Sequence, residues 1–291
     1  MKLSIHTDRL ERRMGALAAV RMIAEAGFEA IDYSMYYTDL AVFGRGGGIL
    51  AVEIRKVASS LGLTVNQAHA PFSDFFLAQE YTEKYKSLYY SICRSFSIAA
   101  KLGAKTVVVH PAFFCPYISA DERFEMTMEL FSKLVPAAQS EGVGIAIENI
   151  YRRHSEENRK IVKSACSDAA ELIRYADALS DLGVSVCFDV GHANLFGENA
   201  ATVIRNLGSR ISLIHIHDND SKDDQHTLPY LLNADFSAVC KALAKIGYNG
   251  DITLESDGFF KNMPDSLLPS ALLFSRSVAA HIRDEITKLS S

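Results

Sequence analysis

The chain has 291 residues, and its 30 Lys and Arg against 35 Asp and Glu give a formal charge of −5. That balance supplies no basic face to track a phosphate backbone, so no nucleic acid is expected as a partner. No apolar run reaches the roughly 18–20 residues that span a bilayer, and Met1-Lys2-Leu3-Ser4-Ile5-His6 turns polar too early for a signal peptide, which excludes a membrane role. The five cysteines (Cys93, Cys115, Cys166, Cys187, Cys240) are odd in number, widely spaced and without C-x-x-C, and read as the reduced thiols of a cytoplasmic protein.

In chain order, the first predicted strand is Lys2–His6, followed by Thr7-Asp8-Arg9 with no phosphate-binding glycine turn. A recurring unit comes next, in which a helical stretch ends in Gly and a β-branched run follows at once. It reads EAGFEAID at Gly27, SLGLTVNQAH at Gly62, KLGAKTVVVH at Gly103, SEGVGIAIEN at Gly142, DLGVSVCFDV at Gly183, NLGSRISLIHIH at Gly208 and KIGYNGDITLES at Gly247. Gly just past a helix closes the last turn in the left-handed conformation. The apolar run behind it suits a strand buried on both faces. The preceding segments keep helical spacing, as in Tyr89, Ile92, Phe96, Ala99 and Ala100. Eight strands alternating with helices, with most of the repeat glycines 35 to 41 residues apart, predict an α/β fold, a single (β/α)8 TIM barrel over residues 1–291. An open doubly wound sheet also alternates β and α, but usually with fewer strands and a glycine turn after the first.

In such barrels the working residues lie at the C-terminal strand ends. The ends read His6; Asp32; Gln67-Ala68-His69; His110-Pro111; Glu148-Asn149; Asp189-Val190-Gly191-His192; His215-Ile216-His217-Asp218; and Glu255. Of nine histidines, six fall there and His226 falls in the next loop. Burying so many ionisable groups together is costly unless a positive ion pairs them. His with Asp and Glu favours one divalent metal such as Mn²⁺, Co²⁺, Mg²⁺ or Zn²⁺.

The motifs HAPF at His69, HP at His110, EN at Glu148, DVGH at 189–192, HIHDND at His215, DDQH ending at His226 and LES around Glu255 run in one order along nearly the whole chain. In that order the sequence resembles the xylose-isomerase-like superfamily of barrels, which holds sugar and sugar-phosphate isomerases and epimerases and the endonuclease IV family. The resemblance implies a metal held by Glu148, Asp189, His215 and Glu255, with His192 on the substrate. Its endonuclease branch holds three zinc ions, and those further ligand positions match His69, His110, Asp224 and His226, with His192, so additional Zn²⁺ is also implied. Two positions depart from the pattern. Ser221 stands where free-ketose epimerases place an Arg, and 228–233 (LPYLLN) replaces a glycine-rich turn.

Glu148 and Glu255 are the expected catalytic pair, because a carboxylate bound to metal through one oxygen can still exchange a proton with the other. One of them acting as a ligand alone is the plainer reading. His217 shares a strand face with His215 and could bind substrate, orient a ligand or pack in the barrel. His6 and Asp32 could equally cap a loop or pack inside. Gly44-Arg45-Gly46-Gly47-Gly48 could cradle an anion or serve as a lid. Tyr151-Arg152-Arg153-His154 could meet a phosphate or lie solvated. Phe72, Phe75, Phe76, Phe113, Phe114 and Tyr117 could wall a sugar pocket or join subunits of a homo-oligomer. The expected function is a metal-dependent sugar, sugar-phosphate or polyol isomerase or epimerase acting on a small-molecule carbohydrate by proton abstraction next to a carbonyl. Its rivals are multi-zinc phosphodiester hydrolysis, a lyase or dehydratase, and a carbohydrate-binding barrel without catalysis.

Overall fold

The computed structural model describes residues 1–72, 83–111, 119–153 and 161–290. Its strands are β1 (Leu3–His6), β2 (Ala30–Ser34), β3 (Thr64–His69), β4 (Thr106–Val109), β5 (Gly144–Glu148), β6 (Arg152–Arg153), β7 (Ile161–Val162), β8 (Ser185–Asp189), β9 (Ile211–Ile216) and β10 (Ile252–Leu254). Eight of them close a parallel barrel in the order β1-β2-β3-β4-β5-β8-β9-β10, and β10 returns to pair with β1. The short β6 and β7 form an antiparallel pair outside it, in the connection that leaves β5. The helices are α1 (Asp8–Met14), α2 (Ala16–Glu25), α3 (Gly47–Ser60), α4 (Glu83–Leu102), α5 (Ala120–Ser140), α6 (Ala169–Ser180), α7 (Val190–Phe196), α8 (Ala200–Leu207), α9 (Phe236–Lys245), α10 (Asp257–Phe260) and α11 (Leu268–Ser290). The expected (β/α)8 barrel is the fold observed.

All seven punctuating glycines sit at positive φ, from 57° at Gly208 to 91° at Gly103. Each reverses the chain out of a helix and into a barrel strand, a turn that a side chain would strain. Several helix starts are set by side chains. Ser119 and Glu122 make a capping box at α5, and Asp168, Asn199 and Asp235 cap α6, α8 and α9.

Most of the core lies between the strands and the outer helices, where Ile31, Phe96, Phe131, Phe188 and Leu243 are fully covered. A small second cluster, Val108, Ala146 and Cys187 with Leu213, fills the barrel interior. Cys187 and Leu213 lie two residues below Asp189 and His215 on their strands, so this cluster makes an apolar floor beneath the strand ends. The pairing register shifts by one residue in two places, between Ile31 and Asp32 against β3 and between Val186 and Cys187 against β9. The result sets Asp32 beside Gln67 and Asp189 beside His215. Irregularities of this kind re-aim side chains next to sites. The four described cysteines are free thiols, and no helix among the described residues is long and apolar enough to cross a membrane.

Candidate metal centre

The strand ends bring Glu148, Asp189, His215 and Glu255 together from four neighbouring strands, with one ligand atom of each within 4.8 Å of the others. All four are buried, Asp189 and His215 fully. Three carboxylates in so little space repel one another unless a cation joins them.

His215 shows how the centre is aimed. Its Nδ1 lies 2.7 Å from Glu148 Oε1 and 2.9 Å from Glu255 Oε2, while its Nε2 lies 3.0 Å from Asp32 Oδ2. Asp32 also accepts from Gln67 Nε2 at 2.6 Å and lies 3.1 Å from His6 Nε2. A ligand histidine is usually held through its second nitrogen by a carboxylate behind it, and Asp32 occupies that place. His6 and Asp32 thus stand directly behind the quartet.

Asp189 is divided in the same way. One oxygen accepts the backbone N–H of His192 and caps α7, while Oδ2 accepts no hydrogen bond although it is buried. Asn149 clamps the two strand ends, donating to the Asp189 carbonyl at 2.9 Å and accepting from the Asp189 N–H at 2.7 Å. A buried carboxylate oxygen without a partner fits a metal ligand. The donor set of three carboxylates and one imidazole fits a hard or borderline divalent ion.

Two further groups flank the quartet. His69 Nε2 and His110 Nε2 approach Glu148 Oε2 at 3.1 and 3.0 Å, so Glu148 faces both groups. On the other side His192, His217, Asp224 and His226 gather. His69, His192 and His226 share one arrangement, with Nδ1 tied to a main-chain carbonyl (Ala70, Asn149 and Glu255, at 2.8–2.9 Å) and Nε2 turned towards a carboxylate. His226 holds φ 44°, a left-handed conformation that costs a residue with a side chain. His217 stacks on His226 with centroids 3.9 Å apart and lies 3.1 Å from Asp189 Oδ1. Its ring also fills the space over Gly191, where a Cβ would fall 1.9 Å from it.

Without a metal these groups pair with each other. Burial works against charge on Glu148 and Glu255, but His215 and the surrounding imidazoles hold both well below the usual carboxylate range. Burial likewise opposes a charged His192, yet Asp189 and Asp224 push it up to about 10. His215 and His226 are raised by their carboxylate neighbours against the same burial.

The structure thus brings Glu148, Asp189, His215 and Glu255 together with His69, His110, His192, His217, Asp224 and His226 at one rim. Tyr36, just past β2, joins it without having been singled out, since its hydroxyl donates to Glu255 Oε1 at 2.6 Å and contacts His6 Nδ1. Its position at a barrel strand end was the available signal. Phe72 packs on His110, and Tyr151 bonds Asp224 at 3.2 Å. In the glycine loop, Gly47 lies so close to the Val42 carbonyl that a Cβ would stand 1.9 Å from its oxygen, so this turn is shaped by packing. Phe75, Phe76, Phe113, Phe114, Tyr117 and His154, with the side chains of Arg152 and Arg153, lie outside the described residues.

Comparison with known proteins agrees with the barrel fold. An archaeal relative, "Uncharacterized protein MJ1311" of Methanocaldococcus jannaschii, is 30% identical over 211 residues, 70% of this chain and 67% of its own length. The crystal structure of a D-tagatose 3-epimerase-like protein superposes with a TM-score of 0.78 at 22% identity, covering 100% of both chains. D-psicose 3-epimerase from Clostridium cellulolyticum H10, solved with D-tagatose, gives 0.75 at 16% identity over 97% of this chain and 99% of that one. A family model described as Xylose isomerase-like TIM barrel matches residues 20–276, and the chain belongs to that family.

Proposed function

We propose that the chain, acting as one domain across residues 1–291, is a divalent-metal-dependent isomerase or epimerase of a sugar or related polyol. The observation that carries the reading is the quartet Glu148, Asp189, His215 and Glu255, with its unpartnered Asp189 oxygen. The similarity to a D-tagatose 3-epimerase-like protein and to D-psicose 3-epimerase supports the same reading. These four residues would hold the ion, and a bound divalent cation supplies polarisation of a substrate carbonyl and stabilisation of the oxyanion formed from it.

Glu148 and Glu255 stand at the two ends of the quartet, on β5 and just past β10. One carboxylate removes the proton from the carbon beside the carbonyl, leaving an enediolate. The other returns a proton to that carbon from the opposite face, which inverts it. Asp32 fixes His215, and the Tyr36 hydroxyl fixes one Glu255 oxygen.

Incubation with a ketohexose in heavy water tests this scheme. Deuterium is expected at the inverted carbon, and Glu148→Gln and Glu255→Gln are each expected to lower turnover by roughly 10²-fold or more. Product formed without solvent deuterium would indicate hydride transfer and sink the two-carboxylate scheme.

A second reading, metal-assisted phosphodiester hydrolysis, is favoured by the two flanking groups that share or adjoin the quartet. Metal content decides between the two. One ion per chain supports the epimerase reading, whereas two or three ions with incision of abasic-site DNA would support the hydrolase.

A further inference from the structure

A cavity of about 590 Å³ opens beside the His192, Asp224 and His226 group, and Asp224 and His226 line its inner wall. Its volume falls within the roughly 300–1,000 Å³ of small-molecule sites. The remaining wall includes Arg9 after β1, Gln225 and Leu231 after β9, and Asp257, Lys261 and Asn262 after β10. Asp257 is two residues past Glu255, and His226 is tied to the Glu255 carbonyl at 2.9 Å. The cavity thus adjoins the metal centre across His226, on the side of its proposed catalytic carboxylate.

Three features describe the missing occupant. First, Arg9 Nε and Asp257 Oδ1 are buried from solvent and have no hydrogen-bond partner, so a donor and an acceptor stand unsatisfied in the same wall. Second, the lining has no surplus of cations. It carries two cations, Arg9 and Lys261, against three carboxylates, Asp223, Asp224 and Asp257. A lining without surplus cations, with both donors and acceptors, suits a neutral polyhydroxylated group better than a phosphate, which calls for a surplus of cations. Third, Leu231 and Leu232 are 49% and 43% exposed, offering an apolar surface to the C–H face of a sugar ring.

The wall is also rigid. Gly258 packs its backbone against the Gln225 carbonyl, and Phe259 N–H donates to the His226 carbonyl at 3.2 Å. Arg13 donates to the carbonyls of Phe260, Lys261 and Met263 at 2.7–3.1 Å, pinning the Lys261 segment to α1. A pocket held in place before its ligand arrives avoids the ordering cost of binding.

We propose that this cavity is a second sugar subsite, which holds an uncharged glycosyl or polyol unit joined to the keto sugar whose reacting carbon lies at the quartet. The preferred substrate is then an extended or glycosylated keto sugar, bound more tightly than a free monosaccharide or a sugar phosphate. This rests on the epimerase reading above for the identity of the reacting unit.

Calorimetric binding to the Mn²⁺-loaded protein tests it with three probes: D-fructose, D-fructose 6-phosphate and isomaltulose, in which a glucosyl unit is attached to fructose. Isomaltulose is expected to bind at least tenfold more tightly than either of the others. In Lys261→Ala/Asn262→Ala, and separately in Leu231→Ser, its advantage over D-fructose should fall towards one. Equal or weaker binding of isomaltulose, its failure to bind, or a preference for the phosphate ester would overturn the proposal. Because the readout is binding, the two readings fail separately. Deuterium exchange into D-fructose with no preference for isomaltulose removes the subsite and leaves the epimerase. A variant-sensitive preference without exchange in any probe removes the epimerase and leaves the subsite.

Discussion

The aim of His215 depends on one carboxylate behind it. Asp32 takes the Nε2 side, so Nδ1 is left facing Glu148 and Glu255. Such outer partners are typically worth about 10–100-fold in metal affinity. Asp32→Ala is therefore expected to weaken Mn²⁺ binding by about that factor while all four quartet residues remain, measured by equilibrium titration with a competing chelator. Unchanged affinity would show that His215 needs no such support. Away from the centre, Glu11 is buried with one oxygen bonded to the Tyr33 hydroxyl at 2.8 Å and the other unpartnered. Burial pushes its carboxyl up to about 7. The folded state then holds its proton more tightly than the unfolded chain does. The group's contribution to stability is fully present below about pH 4.5 and is lost as pH rises through about 7. Glu11→Gln is expected to stabilise the protein by roughly 2–3 kcal/mol at pH 8 and by little at pH 4.5, which urea unfolding at the two values would read.

At the scale of elements, the strands announced themselves through their glycines, because a left-handed helix exit and a β-branched run are both local. The strand-end residues were legible for the same reason, since β5, β8, β9 and β10 deliver Glu148, Asp189, His215 and Glu255 to one rim. The parts played by Asp32, Gln67 and Tyr36 were not. They depend on the register shift between β2 and β3 and on the path of the chain past Ser34, which no local pattern encodes. His217 was legible as sharing a face with His215, but its stacking on His226 requires the loop that carries His226 back over the barrel. Between α10 and the β9 loop, contact is made backbone to backbone at Gly258, where a Cβ would stand 1.8 Å from the Gln225 oxygen. Gly258→Ala is expected to cost about 1–3 kcal/mol, as overpacking does, in a denaturant titration. A variant as stable as the parent would mean that the loops separate freely.

For the whole molecule, the proposed ion at the quartet would couple folding to metal, because an ion bound only by the folded chain stabilises it by mass action. At a free concentration a hundredfold above its Kd, the gain is about 2.7 kcal/mol. Thermal unfolding of metal-loaded protein is expected several degrees above that of chelator-treated protein, with the difference growing from pH 6 to pH 8. The direction follows from His215, whose acidic neighbours favour its protonated form and which must lose that proton before it can bind a cation. An unchanged midpoint would argue against a centre that spans the strands.

The seam of the barrel joins β1 to β10, the first and the last barrel strands that a ribosome makes. Glu148, Asp189 and His215 emerge in that order and wait with an open edge beside them, and Glu255 arrives only with the final strand. Completing the ring depends on the pairing of residues some 250 positions apart, such as Leu3 with Ile252, a long-range closure that folds slowly. Capture of the proposed metal would therefore be the last event of maturation. A nascent chain stalled before β10 would present three ligands to the cellular metal pool without the fourth, at the stage when its unpaired strand edges are most in need of a chaperone.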